Sequence, residues 1–362
     1  MTLVANFTVE YTRFLDPQGH VTEALPDFAH DPEKLRNLYR WMLLVRTFDT
    51  KAIALQRTGK LGTYPPVLGQ EAVCVAIGDV LQKDDVMTLT YRECGAQLQR
   101  GVKMSEILAY WGGDERGNAF ANCPEDFPIA VPIGTQLLHA AGVATAFKIR
   151  KQARVALTAC GDGATSEGDF YEAMNIAGIW KLPLVIVVNN NQWAISVPRT
   201  QQSNTQTLAQ KAIAAGFSGE QVDGNDVIAM RYVLEKAVDK ARSGHGPSLI
   251  EALTYRLFDH TTADDAARYR PKETLEKARQ EEPVKRLKLY LEKQKVWSEQ
   301  DEEKWLSECH YQVQQAVEEY LKIPHAHLES MFDYHYAVLP HDLKAQRELA
   351  LQYPFIGAHS HG

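Results

Sequence analysis

Two short apolar runs flank an amphipathic segment in the middle of the chain. Residues 154–160 are uncharged after one arginine, and residues 184–188 are wholly apolar. Each run therefore predicts a buried strand. Between them Phe170, Met174 and Ala177 recur at helical spacing, and a proline closes the segment. The order of strand, helix and strand predicts a βαβ unit of a parallel sheet.

The same kind of pattern continues on both sides of this unit. A strand is predicted over 84–90, ending at Tyr91 and Arg92, and a buried strand over 247–257 leads to Arg256 and His260. Helices are predicted over 31–56, 104–112, 207–215, 225–244, 283–293 and 299–321, with others opening at 69 and 132. We therefore expect an α/β fold, a doubly wound and mostly parallel sheet with helices on both faces.

The chain divides into three predicted parts. Residues 1–33 are mixed and contain prolines, which predicts an N-terminal arm. Residues 34–271 are expected to form the α/β domain. Residues 272–362 are charged and amphipathic, which predicts a helical extension packed on that domain or on a partner.

Composition narrows the class of protein. The 362 residues carry a formal net charge of −7, which argues against binding to nucleic acid. No run of about 18 apolar residues occurs, so we expect no membrane span, and the N-terminal sequence lacks a signal or transit pattern. The five cysteines are scattered without a CxxC pair, as expected for free thiols in a reducing cytoplasm.

Candidate chemistry lies at the carboxyl ends of the two central strands. Asp162, between Gly161 and Gly163, follows the first strand, and Asn191 follows the second. Because parallel strands end at one edge of a sheet, both oxygens are expected to face one point. Together with a backbone carbonyl they suit Mg²⁺, and glycine amides at a helix start suit phosphate. The alternative is an ordinary Rossmann turn whose Asp and Asn only cap helices; a P-loop is excluded because no GK[ST] follows.

Two residues near neighbouring strand ends are further candidates. Arg92 can fork onto diphosphate oxygens, although a surface arginine in an ion pair fits the same position. His260 follows a strand and precedes a polar loop at 261–270, and its unperturbed pKa of about 6.5 suits proton transfer. A lone histidine is equally compatible with a structural or exposed position.

These motifs together carry a family resemblance. The GDG sequence, the 26 residues between Gly163 and Asn190, and the asparagine pair resemble the thiamine diphosphate motif. With Tyr91, Arg92 and the sequence YRLFDHTTADDAARYR, the chain resembles the alpha subunit of a decarboxylating 2-oxo acid dehydrogenase of the bacterial pyruvate dehydrogenase type. In that family two alpha and two beta subunits bind thiamine diphosphate and Mg²⁺ between them.

The resemblance implies site residues by position. Mg²⁺ would be held by Asp162, Asn191 and the carbonyl of Trp193. The residues implied on the diphosphate side are Tyr91, Arg92, Gly163, Ala164, Arg256 and His260. The backbone of Val131 and the side chain of Ile133 would meet the aminopyrimidine.

The implied reaction is the oxidative decarboxylation of pyruvate, a 2-oxo acid, with transfer of the acetyl group to the lipoyl arm of an acyltransferase component. His260 would give a proton to the opening lipoyl disulfide, and a mobile loop at 261–270 would help receive the arm. The glutamate that activates the pyrimidine would come from the beta subunit. One departure is Arg116, where related Gram-positive pyruvate enzymes have histidine, which limits Arg116 to an electrostatic role.

Three alternative functions fit the sequence to different degrees. The alpha subunit of a branched-chain 2-oxo acid or acetoin dehydrogenase shares every motif, with the pocket around Tyr64 and the beta subunit setting the size of the substrate. A non-catalytic regulatory subunit that binds thiamine diphosphate is disfavoured by the presence of His260 and Arg256. A nicotinamide dehydrogenase would need GxGxxG and an acidic residue about 20 positions later, which GDGATSEG does not fit.

Overall fold

Six parallel strands form one sheet in the computed structural model, which describes residues 1–353. The described residues contain eight strands in all: β1 (Tyr11–Thr12), β2 (Val86–Thr88), β3 (Ala156–Gly161), β4 (Leu184–Asn190), β5 (Trp193–Ala194), β6 (Val197–Pro198), β7 (Gly219–Asp223) and β8 (Ser248–Leu253). The sheet has the order β1-β7-β8-β4-β3-β2, and β5 and β6 form a separate antiparallel hairpin. All of the pairings in the larger sheet are parallel.

Helices follow most of these strands and also form most of the described chain after β8. They are α1 (Pro32–Arg57), α2 (Glu71–Val80), α3 (Cys94–Arg100), α4 (Met104–Trp111), α5 (Thr135–Ile149), α6 (Gly168–Trp180), α7 (Arg199–Gln202), α8 (Lys211–Ala214), α9 (Val227–Arg242), α10 (Lys272–Gln280), α11 (Pro283–Lys293), α12 (Glu299–Leu321), α13 (Ser330–Asp333) and α14 (His341–Leu351). Within residues 1–353, no helix combines the length and the apolar character that a membrane crossing requires.

Apolar cores cover both faces of the sheet, and β4 contributes to each. Val185 and Val187 pack into a core shared with α1, α2 and α9. Ile186 and Val188 pack into a second core shared with α5 and α6. Successive side chains of a strand point to opposite faces, so a wholly apolar strand requires two covered faces. The expected doubly wound α/β fold is confirmed.

The terminal segments fold back on this domain. β1 extends the sheet beside β7, and the Asp226 carboxylate accepts hydrogen bonds from the N–H groups of Phe14 (2.8 Å) and Leu15 (2.7 Å). α11 and α12 pack on α1, and their bounds are those predicted from the sequence. Of the predicted extension, residues 354–362 lie outside the described residues.

Several elements are shorter than predicted, among them β2, which covers three of the seven residues expected over 84–90. β8 ends at Leu253 because its neighbour β4 ends at the residue paired with Leu253. The helix expected over 207–215 is reduced to α8, and in the segment before α8 the N–H groups of Leu208 and Ala209 donate to the Glu251 carboxylate (2.8 and 3.0 Å).

Candidate active site

A cavity of about 470 Å³ opens at the carboxyl edge of the sheet. Residues that follow β2, β3 and β4 line it, together with the loop after β8. Of the residues that the resemblance implied for the cofactor and the metal, all but Arg256 line this cavity; they are Tyr91, Arg92, Val131, Ile133, Asp162, Gly163, Ala164, Asn191, Trp193 and His260. The parallel sheet thus brings together residues from separate parts of the chain, as expected for open α/β folds.

Asp162 and Asn191 lie at the ends of the neighbouring strands β3 and β4. Asp162 is 2% exposed, and burial raises the pKa of its carboxyl to about 6. Its Oδ2 accepts a hydrogen bond from Gln202 (3.2 Å), and Asn191 Oδ1 accepts one from the Trp193 N–H (3.2 Å). A nearby cation would stabilise the charged form of Asp162 and lower this pKa.

These oxygens are of the kind that a hard cation prefers. Asp162 supplies a carboxylate, and an amide oxygen of Asn191 and the Trp193 carbonyl each retain a lone pair beyond the hydrogen bond they accept. Within the described part of the chain, no group of three or more His, Cys, Asp or Glu side chains is placed to hold a metal. The mixed oxygen set suits Mg²⁺, which shares its shell with water and phosphate oxygens.

The hairpin that carries Trp193 is held by Arg256. Gln192 and Ile195, on either side, have positive φ angles of 74° and 53°, which side chains rarely adopt unless the surroundings hold them. Arg256 is fully buried and donates to the carbonyls of Trp193 (3.3 Å) and Ile195 (2.8 Å). Arg256 therefore acts on the hairpin. It lies outside the cavity wall, whereas the resemblance implied that it contacts the cofactor directly.

Gly163 allows the same hairpin to approach the turn after β3. A Cβ atom at this position would lie 2.6 Å from Cβ of Ala194, closer than side chains pack. The 3₁₀ segment Gly163–Ser166 and then α6 begin at this turn. The start of a helical segment beside the cavity presents N–H groups that favour a bound anion.

Arg92 anchors the loop that carries His260. Its guanidinium is buried and donates to the carbonyls of Pro66 (2.6 Å) and His260 (3.0 Å). Nδ1 of His260 lies 3.3 Å from Arg92 and 3.4 Å from Arg256. Because guanidinium groups only donate, Nδ1 must be the acceptor, and the proton of the neutral ring lies on Nε2.

The same two arginines change the charge of His260. Burial, followed by the charges of Arg92 and Arg256, lowers the pKa of His260 to about 4, and Asp264 opposes the change. The ring is therefore neutral near pH 7, which differs from the unperturbed behaviour expected from the sequence. An anion bound beside both arginines would offset their charge and raise this pKa.

Comparison with known proteins assigns the chain to a family. Residues 39–329 match the model of the family described as "Dehydrogenase E1 component". The chain belongs to this family. It is 39% identical to the 3-methyl-2-oxobutanoate dehydrogenase subunit alpha of Mycobacterium tuberculosis, with 96% of this chain and 95% of that protein covered. It is also similar to the pyruvate dehydrogenase E1 component subunits alpha of Mycoplasma genitalium (39%; 94% and 93%) and Bacillus subtilis (37%; 94% and 92%).

These relatives confirm the resemblance drawn from the sequence, and the dehydrogenase E1 component family depends on thiamine diphosphate. In this E1 chain, Val131 and Ile133 lie at the mouth of the cavity and are about half exposed (48% and 47%). Further apolar side chains are exposed on the adjoining helices α5 and α6: Leu138, Tyr171, Ile176, Ile179 and Trp180. Such an apolar patch is typical of a protein interface.

The loop at 261–270 is folded in the E1 chain. Arg270 donates to the carbonyls of Arg256 (2.6 Å) and Phe258 (2.8 Å). The Tyr269 hydroxyl donates to Asp264, which also accepts from the N–H of His260 (2.8 Å). These contacts tie the loop to His260, while its ordering by the cofactor stays a prediction.

Two residues expected near the site lie outside the cavity wall. Arg116 pairs with Asp114 and donates to the carbonyl of Pro324 (2.6 Å), so it links the segment after α4 to the chain after α12. Tyr64, expected to border the substrate, is 1% exposed and donates to Asp49 (2.8 Å) in the core. The ring of Tyr64 therefore lies in the core and not in the cavity wall, so it does not set the size of the cavity.

Several buried polar residues of the cavity wall were missed. Gln70, Gln136 and Asn189 are no more than 2% exposed, and each has a side-chain atom without a hydrogen-bond partner in the described chain, namely Nε2, Oε1 and Nδ2. Glu93 is also buried there and accepts from Thr90 (2.6 Å), and burial raises its pKa. The sequence held one signal for these residues. Gln70 stands at the N-cap position of α2, which Ser, Thr, Asn or Asp usually occupies.

Proposed function

We propose that this chain is the alpha subunit of a pyruvate dehydrogenase, which passes the acetyl group to the lipoyl arm of an acyltransferase component. The observation that carries the proposal is the cavity in which Asp162, Asn191, Arg92 and His260 meet. Similarity to pyruvate dehydrogenase alpha subunits over more than nine-tenths of the chain supports it. When bound, thiamine diphosphate supplies the carbanion stabilisation that releases carbon dioxide from a 2-oxo acid.

In this proposal the chain's own residues bind and orient the cofactor. Asp162, Asn191 and the Trp193 carbonyl hold Mg²⁺, and Arg256 keeps that carbonyl in place. The diphosphate is contacted by Tyr91, Arg92, Gly163, Ala164 and His260. The backbone of Val131 and the side chain of Ile133 face the aminopyrimidine.

His260 moves a proton at Nε2. The two arginine donors at Nδ1 fix which nitrogen carries it. Once an anion balances the charge of Arg92 and Arg256, His260 regains a pKa at which it holds a second proton. The second proton enters at Nδ1, and the Nε2 proton then passes to the sulfur released when the lipoyl disulfide opens, which leaves the ring neutral.

The proposed assembly contains two alpha and two beta subunits. The exposed apolar patch on α5 and α6 adjoins the mouth of the cavity, where a beta subunit would complete the site and supply the activating glutamate. A reducing cytoplasm is the compartment that we infer, in keeping with five buried cysteines that are all unpaired.

A second candidate substrate is 3-methyl-2-oxobutanoate. The relative from Mycobacterium tuberculosis named for this 2-oxo acid is as similar to the chain as the Mycoplasma genitalium pyruvate enzyme, at 39% identity each. The cofactor site is the same for both substrates. The choice between them rests on parts of the substrate pocket that the beta subunit would contribute.

The test is coexpression of the chain with a beta subunit, followed by assays with pyruvate, 3-methyl-2-oxobutanoate and acetoin. We expect the highest kcat/KM for pyruvate in the presence of thiamine diphosphate and Mg²⁺, and negligible turnover by the alpha chain alone. Robust turnover by the alpha chain alone would contradict the shared site. A preference for another substrate would replace pyruvate, and cofactor binding without any turnover in the complex would favour a regulatory subunit.

A further inference from the structure

A glutamine with no role in the proposed reaction lies in the cavity wall. Gln70 directly precedes α2, is 1% exposed, and lines the cavity together with Asp162 and Asn191. Its Oε1 accepts a hydrogen bond from Nδ2 of Asn191 (3.1 Å), whereas its Nε2 has no hydrogen-bond partner in residues 1–353. An unpartnered donor is costly to bury, so it is expected where a ligand completes the site.

The hydrogen bonds determine which way both amides face. The Trp193 N–H can only donate, so the Asn191 atom that faces it must be the oxygen, Oδ1. Asn191 therefore turns Nδ2 toward Gln70, and the Gln70 atom that meets it must be Oε1. The free atom of Gln70 is then Nε2, independent of the usual ambiguity between amide oxygen and nitrogen.

The backbone around Gln70 is fixed before any ligand binds. Gly69 has a φ of 92°, and a Cβ atom there would lie 2.4 Å from the Tyr255 carbonyl oxygen. The Gly69 N–H donates to the Glu71 carboxylate (2.9 Å), which pairs in turn with Arg46 (2.7 Å). A donor that is held in position loses little entropy when it binds.

We propose that Gln70 is a further binding residue: Nε2 donates to an anionic oxygen of the bound diphosphate, and Oε1 orients Asn191 toward the metal. This inference rests on the proposed function, because the ligand is thiamine diphosphate. A diphosphate offers many acceptors and no donors, which matches an unpartnered N–H. Asn189 presents a second such donor in the same wall, since its Oδ1 accepts from Thr254 (2.8 Å) while its Nδ2 has no partner in the described chain.

Binding of thiamine diphosphate at fixed Mg²⁺, measured by isothermal titration on the full chain assembled with its beta subunit, tests the proposal. Gln70→Leu removes both amide atoms at similar volume and should raise Kd by about 10- to 100-fold, the range for a hydrogen bond to a charged group. Gln99→Leu is the matched control, because the Gln99 amide donates to the Val75 carbonyl of α2 outside the cavity (3.0 Å). Its Kd should equal that of the unmodified chain.

Thermal unfolding separates a binding role from a structural one. Without ligand, Gln70→Leu should unfold within about 3 °C of the unmodified chain, because it loses one hydrogen bond from Asn191, worth about 1 kcal/mol, and also removes a buried donor that had no partner. The increase in Tm caused by cofactor and Mg²⁺ should shrink. A fall in Tm without ligand that accounts for the whole loss of binding would make Gln70 a structural residue and overturn the proposal.

A second variant keeps the proposal testable if Gln70→Leu folds poorly. Gln70→Glu retains an oxygen for Asn191 but places an acid where the donor was, so it should weaken binding at least as much as Gln70→Leu. Unchanged affinity in both variants would overturn the role of Gln70. An absence of binding by the unmodified assembly would overturn the proposed function instead.

Discussion

Two groups of largely buried polar residues meet at the start of α2, and they differ in how fully they are hydrogen bonded. The Arg46 cluster consists of Arg46, Asp49, Tyr64, Glu71 and Glu282; the amide wall consists of Gln70, Gln136, Asn189 and Asn191. In the Arg46 cluster, Glu71 and Glu282 pair with Arg46 at 2.7 and 2.6 Å, and Asp49 accepts from Tyr64. In the amide wall, three of the four side chains keep an atom without a partner in the described chain.

The difference shows that burial of polar residues does not by itself mark a functional site. Gln70 and Glu71 are consecutive and equally buried, yet Glu71 belongs to the paired cluster and Gln70 to the wall that a ligand would complete. Single unpartnered atoms also occur elsewhere, at Asn225 Oδ1 and Arg286 Nε. The informative feature is therefore several unpartnered atoms around one cavity.

The largest effect is expected at the cavity that the amide wall lines. We expect Asp162→Ala to abolish Mg²⁺-dependent binding of thiamine diphosphate. Asp162 is the one anionic ligand in the proposed metal site, and without it the charge of the diphosphate is poorly compensated. The fold should survive, because burial already raises the pKa of this carboxyl to about 6, so its charge does not stabilise the chain without ligand.

Isothermal titration with cofactor and Mg²⁺ measures this effect, and thermal unfolding checks the fold. Asp162→Asn keeps the side-chain volume and should lose binding as well, whereas Asp239→Ala changes an exposed residue of α9 and should bind normally. Retained affinity in Asp162→Asn would refute the metal assignment.

A smaller loss is expected for His260→Ala, which should slow transfer to the lipoyl group by about 10²-fold or more. Decarboxylation followed with an artificial electron acceptor, which bypasses the lipoyl group, should fall less. Both assays need saturating thiamine diphosphate, because His260 also adjoins the proposed diphosphate site through Arg92. His245→Ala, an exposed histidine just before β8, is the control. Equal losses in the two assays would leave His260 as a positioning residue.

The sequence predicted that its candidate residues would lie together because they follow strand ends. Apolar runs predicted β3, β4 and β8, and the parallel order of these strands placed Asp162, Asn191 and His260 at one edge. The charge of His260 was not predictable, since its pKa depends on burial and on Arg92, which lies 168 positions away in the sequence. Arg256 follows the end of β8 and turns its guanidinium to the hairpin, and its contact with the cofactor stays a prediction.

The fold shows the same division between local and distant causes. α11 and α12 were predicted to the residue because each has a local signal, Pro283 in the first turn and Ser298 as a cap. β1 has only two residues and no apolar alternation, so no local pattern could predict it. Its position is set by β7 and by the Asp226 carboxylate, which lies 212 positions beyond Phe14.

The smallest effect on the site is expected from the Arg46 cluster, where Asp49 makes a pH-dependent contribution to stability. Burial raises the pKa of Asp49 to about 7, above its unfolded value of about 3.9. Between these values the folded chain binds the proton more tightly than the unfolded chain. The contribution of Asp49 to the free energy of unfolding is therefore complete below about pH 4 and is lost as the pH rises through about 7.

Asp49→Asn should remove this pH dependence and leave the contacts in place. The amide nitrogen can donate to the Tyr64 hydroxyl, while the amide oxygen accepts from the N–H groups of Val67 and Leu68, as the carboxylate oxygen does now at 2.7 and 3.1 Å. Relative to the unmodified chain, the variant should gain about 1–3 kcal/mol in free energy of unfolding between about pH 4.5 and 7.5, measured with denaturant. Its affinity for thiamine diphosphate should not change, because every atom of Asp49 that bonds does so within the protein. If Asp49→Asn weakened cofactor binding as much as Gln70→Leu, the Arg46 cluster and the amide wall would have to be treated as one functional unit.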